Sequence, residues 1–517
     1  MADNQDFYGF EEEERVWYKL SGKLVLFLIL LFSVSALPQN TESDSIPKYS
    51  YSTISEFWTQ MEDIFNDPNF SNANWGVIIQ SLETGEYFYK RNEDKLFIPA
   101  STLKLFTTSA GLISLGSDYR YTTELYANGK IDGSILLGDL VVKGYGDPTI
   151  SGRFYNNDMF AVFNRWADSL LEIGIDEISG NIIGDDDEFD DKGLGTGWQW
   201  DYESYWYSAP SGAIAFNDNT VDIFVSVNKD NLSSVITIKP DTKYIIVLNN
   251  VVTVPRDSVT SISVYRERGT NVVNVFGTIK VNSDTVKTFV TVNNPTQYAM
   301  VILKDVLEKK GIVVKGYPVD VDEIENPLNY SNMELLLEYK SFPLSDIVKV
   351  INKNSQNFFA EQLLKTIGME KEYYGTAANG ISASEEIFRE MGINPEGMVI
   401  VDGSGLSRLN LVSPRQTLTL LNYMYKSKYF IPFYNSLPIA GLDGSLGTRM
   451  KNTRAEGKIR AKPGFLGNVR SLAGYAYTGD NELIAFVLFV NNFNVPVKLA
   501  ENLQDLVCLR LANFKRK

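Results

Sequence analysis

The chain has 517 residues, with 48 Lys and Arg against 64 Asp and Glu, a formal net charge of −16, no histidine and a single cysteine, Cys508. Without histidine there is no Ser-His-Asp or Cys-His machinery and no imidazole-ligated zinc; with one cysteine there is no intrachain disulfide and no thiolate metal cluster. The acidic balance argues against nucleic acid, whose phosphates need a basic surface, and the 44% of hydrophobic residues suits a globular chain.

Leu24 to Leu37 reads LVLFLILLFSVSAL, uncharged and too short for a comfortable bilayer span, which needs roughly 20 apolar residues. Lys19 and Lys23 precede it, and Val34-Ser35-Ala36 supplies small residues at its end. That is the pattern of a secretory signal over residues 1–36, cleaved after Ala36; an uncleaved N-terminal anchor is the alternative. Asp3, Asp6 and Glu11 to Glu14 are foreign to such a signal, which leaves Val16 to Lys23 as its expected lead-in. Residues 37–50, with Pro38 and Pro47, read as a linker.

Ile54 to Phe65 has helical spacing, and Trp75 to Gln80 with Tyr87 to Lys90 form a hairpin around Glu83-Thr84-Gly85. STLKLFTTSAGLISLG, from Ser101 to Gly116, reads as a buried helix started by Pro99. From about 124 to 330 short Val/Ile/Thr runs, such as VDIFVSV at 221–227 and VVNVFGTIKV at 272–281, alternate with Asn, Asp and Gly. This stretch is expected to be mostly β, without long helices. Helices return over Leu344 to Val350, Phe358 to Ile367, Ser382 to Met391 and Pro414 to Tyr425. A second hairpin follows, Arg470 to Tyr477 and Leu483 to Asn491, then a helix from Pro496 to Asn513. The simplest arrangement pairs the two hairpins in one sheet covered by helices, with residues 124–330 inserted.

Ser101-Thr102-Leu103-Lys104 puts a hydroxyl and an amine at i and i+3 on one helix face. A nucleophilic serine needs a base, and in a chain without histidine a desolvated lysine can serve. Ser355-Gln356-Asn357 precedes the helix FFAEQLL, and Lys462-Pro463-Gly464 starts the strand before the terminal hairpin. Each alone could be a cap or a turn. Together they follow the order S-x-x-K, S-x-N, K-x-G of the active-site serine enzymes that handle penicillin.

With IPASTLKLFTT, LVVKGYGDPTI, GWQWDYESYWYSAPSGAIAFN, NKNSQNFFAEQLLK, VDGSGLSRLN, SLPIAGLDGSLGTRM and NVRSLAGYAY, from about 75 to 492, the sequence resembles the D-alanyl-D-alanine carboxypeptidase/endopeptidases, class C low-molecular-mass penicillin-binding proteins of the penicillin-binding protein 4 type. The resemblance implies an α+β fold: a penicillin-binding, serine β-lactamase-like domain (antiparallel sheet covered by helices) over 51–123 and 331–517. A large β-rich insert spans 124–330, with an inner subdomain near 221–295. It implies Ser101 as nucleophile and Lys104 as its base. Ser355 would relay a proton to the leaving amine, Asn357 would bind substrate backbone, and Lys462 would supply positive charge to the substrate carboxylate and Ser355. The N–H groups of Ser101 and Phe465 would form the oxyanion hole, with Gly464, Phe465 and Arg408 lining the substrate site. No metal or cofactor is required. The implied partners are peptidoglycan stem peptides and, as covalent inhibitors, β-lactams. The implied location is periplasmic or otherwise outside the cytoplasmic membrane; peripheral membrane association and oligomeric state stay open.

The family carries K-T-G-T where this chain has Lys462-Pro463-Gly464-Phe465, so two hydroxyls near the substrate carboxylate are lost. This keeps open a catalytically weakened wall-binding protein, and an S-x-x-K esterase or amidase with another substrate. Asp185, Asp186, Asp187, Glu188, Asp190 and Asp191 read as a solvated loop rather than a calcium site. Trp198, Trp200, Tyr202, Tyr205, Trp206 and Tyr207 read as packing rather than a glycan platform. Arg408 is read as recognising a substrate side chain or as a structural ion pair.

Overall fold

The computed structural model describes residues 50–516 other than Asn231. The expected signal segment and all but the last residue of the linker lie outside the described residues.

Five antiparallel strands form the central sheet, in the order Ile459–Leu466, Val469–Tyr477, Leu483–Asn491, Asn74–Ser81, Tyr87–Arg91. The two expected hairpins are joined by Leu483–Asn491 lying against Asn74–Ser81, with Asn491 opposite Asn74 and Ile484 opposite Ser81. Side chains alternate between two cores, as the period of a strand requires. Ile78, Ala473, Tyr475, Val487 and Phe489 pack with Phe106, Ile347, Phe359, Ile387 and Leu421. These come from the helices Lys104–Leu115, Leu344–Lys353, Asn357–Glu372, Ala377–Glu390 and Pro414–Lys426. Val77, Ile79, Phe486, Leu488 and Val490 face Phe57, Met61, Val507 and Leu511 of the helices Ile54–Phe65 and Val497–Asn513. Every residue of Leu483–Asn491 is buried, which is why that strand is a continuous apolar run rather than an alternating one.

Local chemistry sets the helix ends. Thr53 and Glu56 close a capping box before Ile54, and Ser413 and Gln416 do the same before Pro414. Gly116, at φ 90°, ends the helix Lys104–Leu115.

The segment after Tyr121 builds a seven-stranded sheet around Thr122–Asp132 and Ile135–Gly144. Two three-stranded sheets, made from strands between Thr220 and Thr291, share one hydrophobic core with it. The structure departs from the sequence reading in three places. The segment holds two helices, Ala161–Glu172 and Pro295–Lys309, where none of length was expected. In the first, Val162, Phe163, Trp166, Ala167 and Leu170 form one buried face; in the second, Asn294 caps and Pro295 opens the helix. Packing outweighs the β propensity of the surrounding Val and Ile. The sheet also runs past residue 330: Glu334–Lys340 pairs antiparallel with Thr122–Ala127, Lys340 opposite Thr122.

Nor is the acidic cluster a solvated loop throughout. Asp185 ends the strand Ile182–Asp185, is 4% exposed and accepts from the Tyr330 hydroxyl. Asp186 accepts from Thr296 Oγ1 at 2.5 Å. Glu188 and Asp190 pair with Lys143 and Lys365 at 2.8 and 2.7 Å. Four of the six carboxylates are thus taken up by a packed seam, while Asp187 and Asp191 stay exposed as the sequence reading had them. Among the described residues no group of three or more His, Cys, Asp or Glu is set to hold a metal ion.

Candidate active site

Pro99 leads into a tight 3-10 turn, Ala100–Leu103, before the α-helix Lys104–Leu115 begins. In a 3-10 turn residues i and i+3 eclipse, and Lys104 Nζ accordingly lies 3.1 Å from Ser101 Oγ. Ala100 holds a left-handed φ of 48°. The loop carrying Gly405 presses on it, since a Cβ at Gly405 would lie 2.0 Å from the Ala100 carbonyl oxygen. Glycine is what permits that approach.

Lys104 is fully buried. Besides Ser101 it donates to Asn357 Oδ1 at 2.5 Å and to the Ser404 carbonyl at 2.6 Å. Burial pushes its pKa down to about 7, against the pull of the negative charges of Asp402 and Glu361. The shift favours the free amine that a general base requires.

Ser355 sits in the left-handed region, φ 57°, between the helices Leu344–Lys353 and Asn357–Glu372. Its Oγ accepts from Lys462 Nζ at 2.7 Å, and the same amine donates to the Pro463 carbonyl at 2.7 Å. Lys462 is fully buried, and burial together with the charge of Lys104 pushes its pKa well below the usual lysine range. The expected positive charge at Lys462 is thus disfavoured in the free site; a carboxylate arriving beside it would restore it.

The strand Ile459–Leu466 is the outermost of its sheet. Ala461 N donates away from the sheet, to the Pro438 carbonyl at 3.1 Å. Since N–H directions alternate along a strand, the N–H positions of residues 463 and 465 share that outer edge. Proline at 463 therefore removes no rung of the ladder. A Cβ on Gly464 would lie 2.2 Å from Ser471 Oγ and 2.8 Å from Ser101 N. This strand thus touches the turn that carries the nucleophile. The Phe465 ring lies under the Arg470 guanidinium, 3.5 Å from its centroid.

Arg408 donates to the Gly467 carbonyl at 2.8 Å, in the turn after that strand: a carbonyl, where the sequence left an ion pair open. Part of the aromatic stretch braces the site, while Trp200 is 65% exposed and does not pack as the sequence reading had it. Trp198 Nε1 donates to Asp402 at 3.0 Å, Asn357 Nδ2 donates to the Tyr207 carbonyl at 2.7 Å, and Trp198, Tyr202 and Tyr207 pack on Leu406 and Leu466.

The five expected catalytic residues thus converge from three distant stretches of chain. Glu361 and Asp402, buried beneath Lys104, were assigned no role from the sequence. Glu361 offered one signal: it follows Asn357 by four residues, on the same helix face.

A family model, described as D-Ala-D-Ala carboxypeptidase 3 (S13) family, matches residues 58–512. The D-alanyl-D-alanine carboxypeptidase of Actinomadura sp. (strain R39) is 31% identical over 497 residues, 94% of this chain and 90% of its own. D-alanyl-D-alanine carboxypeptidase DacB of Haemophilus influenzae is 27% identical, over 87% of this chain and 91% of its own. The crystal structure of penicillin binding protein 4 (dacB) from Haemophilus influenzae superposes with a TM-score of 0.74 at 26% identity, covering 86% of this chain and 97% of that one. The same protein, complexed with a β-lactam, superposes with a TM-score of 0.69. By the family match along nearly all of its described residues, with a penicillin-binding fold to go with it, the chain belongs to the D-Ala-D-Ala carboxypeptidase 3 (S13) family.

Proposed function

We propose that Ser101 is the nucleophile and Lys104 the base of a serine-type D-Ala-D-Ala carboxypeptidase/endopeptidase acting on peptidoglycan stem peptides. The observation that carries this is the fully buried Lys104 amine, 3.1 Å from Ser101 Oγ, with a pKa lowered to about 7. The free amine accepts the Ser101 proton while Oγ attacks the carbonyl between the last two D-alanines. Negative charge on that oxygen is met by the N–H groups of Ser101 and Phe465. As the C–N bond breaks, a proton passes through Ser355, which Lys462 holds at 2.7 Å, to the leaving amine. Water then hydrolyses the ester on Ser101. A β-lactam forms the same ester, but its amine stays tethered and the acyl-enzyme persists. Asn357 holds Lys104 and orients the substrate backbone; Gly464 and Arg408 shape the cleft.

The reaction takes place outside the cytoplasmic membrane, on the argument of the 24–37 segment; among the described residues no helix is long and apolar enough to cross a membrane. N-terminal sequencing of exported protein should find Leu37 at the start, and an intact Met1 would remove that argument.

A weakened, wall-binding variant of the same fold is the second reading, favoured by Pro463 and Phe465 where the family has hydroxyls. Labelling with a fluorescent penicillin decides between them. Labelling that disappears in Ser101→Ala supports the enzyme; an unlabelled wild type supports the second reading.

A further inference from the structure

Two carboxylates lie buried beneath the base, and the mechanism above gives neither a part. Asp402 is saturated by its own surroundings: it accepts from Gly405 N at 2.8 Å, Ser407 N at 2.7 Å, Asn410 Nδ2 at 2.8 Å and Trp198 Nε1 at 3.0 Å. Glu361, 4% exposed, is placed differently. It stands one turn beyond Asn357 on the helix Asn357–Glu372. Its two oxygens accept from consecutive backbone donors, Gly403 N at 2.9 Å and Ser404 N at 2.8 Å. The Ser404 carbonyl, at the far side of the same residue, receives Lys104 Nζ at 2.6 Å. From the other side Thr107 Oγ1 donates to the Gly403 carbonyl at 2.6 Å. One helix face therefore holds the base twice, directly through Asn357 and at one remove through Glu361.

We propose that Glu361 is a positioning residue for Lys104: it fixes the Gly403–Ser404 backbone so that the Ser404 carbonyl aims the amine at Ser101, and its charge tunes how basic that amine is. The geometry favours the ionised carboxylate, since each oxygen accepts a backbone N–H and the anion is the stronger acceptor. Burial and the charge of Asp402 push the Glu361 pKa up to about 7, with the Ser404 side chain and the two N–H groups opposing. Lys104 is pushed down to about 7, with Asp402 and Glu361 opposing. The charged groups in play are thus Lys104 from the nucleophile helix, Asp402 from the loop, and Lys462, which faces Lys104 from the edge strand. Two groups of opposite sign that titrate in the same range bind protons as a pair rather than singly. A change at Glu361 must therefore be felt at Lys104.

The inference rests on the assignment of Ser101 and Lys104 given above. Its test is the second-order rate of acylation by a fluorescent penicillin, followed against pH for wild type and Glu361→Gln. Acylation needs the free amine, so the rate climbs with pH as Lys104 loses its proton. Removing a nearby negative charge favours the free amine, and that acid limb should move to lower pH by about one unit or more. The plateau should also fall, because the amide turns a donor toward one of the two N–H groups. An acid limb that stays in place, whatever the plateau does, overturns the inference. A wild type that is not acylated overturns instead the reading of Ser101. Should Glu361→Gln fail to fold, carbon-13 NMR of the Glu361 carboxyl in wild type and Lys104→Ala answers the same question. Loss of the cation should raise the carboxyl midpoint, and an unchanged midpoint overturns the coupling.

Discussion

Replacing Pro463 by threonine separates what the fold needs at this position from what the substrate needs. Pro463 is half-buried on the outermost strand, and the Ala461 N–H, two residues earlier, is directed to the Pro438 carbonyl rather than into the sheet. The proline therefore forfeits no strand pairing, and its removal should cost at most about 1 kcal/mol through the added freedom of the unfolded chain. The gain lies in the cleft. Threonine restores one hydroxyl and one N–H on the edge where a substrate carboxylate would lie. A hydrogen bond to a charged group is worth about 1.5–3 kcal/mol, or about 10- to 150-fold in rate if it is made in the transition state. The assay is the second-order acylation rate of both proteins with one penicillin, alongside a thermal melt. A rate in Pro463→Thr that equals or falls below wild type would refute the reasoning. It would mean that Pro463 and the Phe465–Arg470 stack form an apolar wall that this enzyme's own substrate uses.

Three further outcomes are expected. Gly464→Ala drives a methyl to 2.2 Å from Ser471 Oγ and 2.8 Å from Ser101 N. Acylation should drop by at least about 100-fold and stability by about 1–3 kcal/mol; an active, stable variant would show that the edge strand does not brace the nucleophile. In wild type, D-alanine release should rise with pH through about 7 as Lys104 loses its proton, and Lys104→Ala should abolish it; a flat profile would count against lysine as the base. Asp147 is buried and its pKa is raised to about 7 by that burial. The folded state therefore binds a proton that the unfolded chain has released, and stability should fall as pH rises from about 4 to about 7. Asp147→Asn should melt higher than wild type above neutrality, and equal melting points there would contradict the burial argument.

The parts of this molecule that were legible in the sequence are those whose signal is local. The hairpins announced themselves as apolar runs, Trp75 to Gln80 with Tyr87 to Lys90 and Arg470 to Tyr477 with Leu483 to Asn491, and the lack of histidine leaves the lysine three residues after Ser101 as the base. What was missed depends on partners far away along the chain. Glu361 acquires meaning only when Gly403 and Ser404 fold against it, and the end of the inserted sheet at Lys340 is set by pairing with Thr122. The two inserted helices were hidden for another reason. Val, Ile and Thr weigh toward strands, and only the neighbouring sheet supplies a surface for the face holding Phe163 and Trp166 to bury against. The acidic run misled because composition cannot reveal that Tyr330, Thr296, Lys143 and Lys365 arrive to take up its oxygens.

The central sheet has a consequence for how the chain is made. Asn74–Ser81 and Tyr87–Arg91 emerge from the ribosome early, but the strand that covers Asn74–Ser81, Leu483–Asn491, is among the last segments synthesised. Until it arrives, the early hairpin has an open edge, the kind of surface that recruits other chains. The inserted segment is under no such constraint, because its first and last strands pair with each other and all of it lies between them in sequence. The inserted segment should therefore reach its native form while the sheet that anchors Ser101 waits. Contacts spanning so much sequence are slow to form. Nascent chains of this design should depend on holding factors, and C-terminal truncation should release an aggregating product rather than a smaller enzyme.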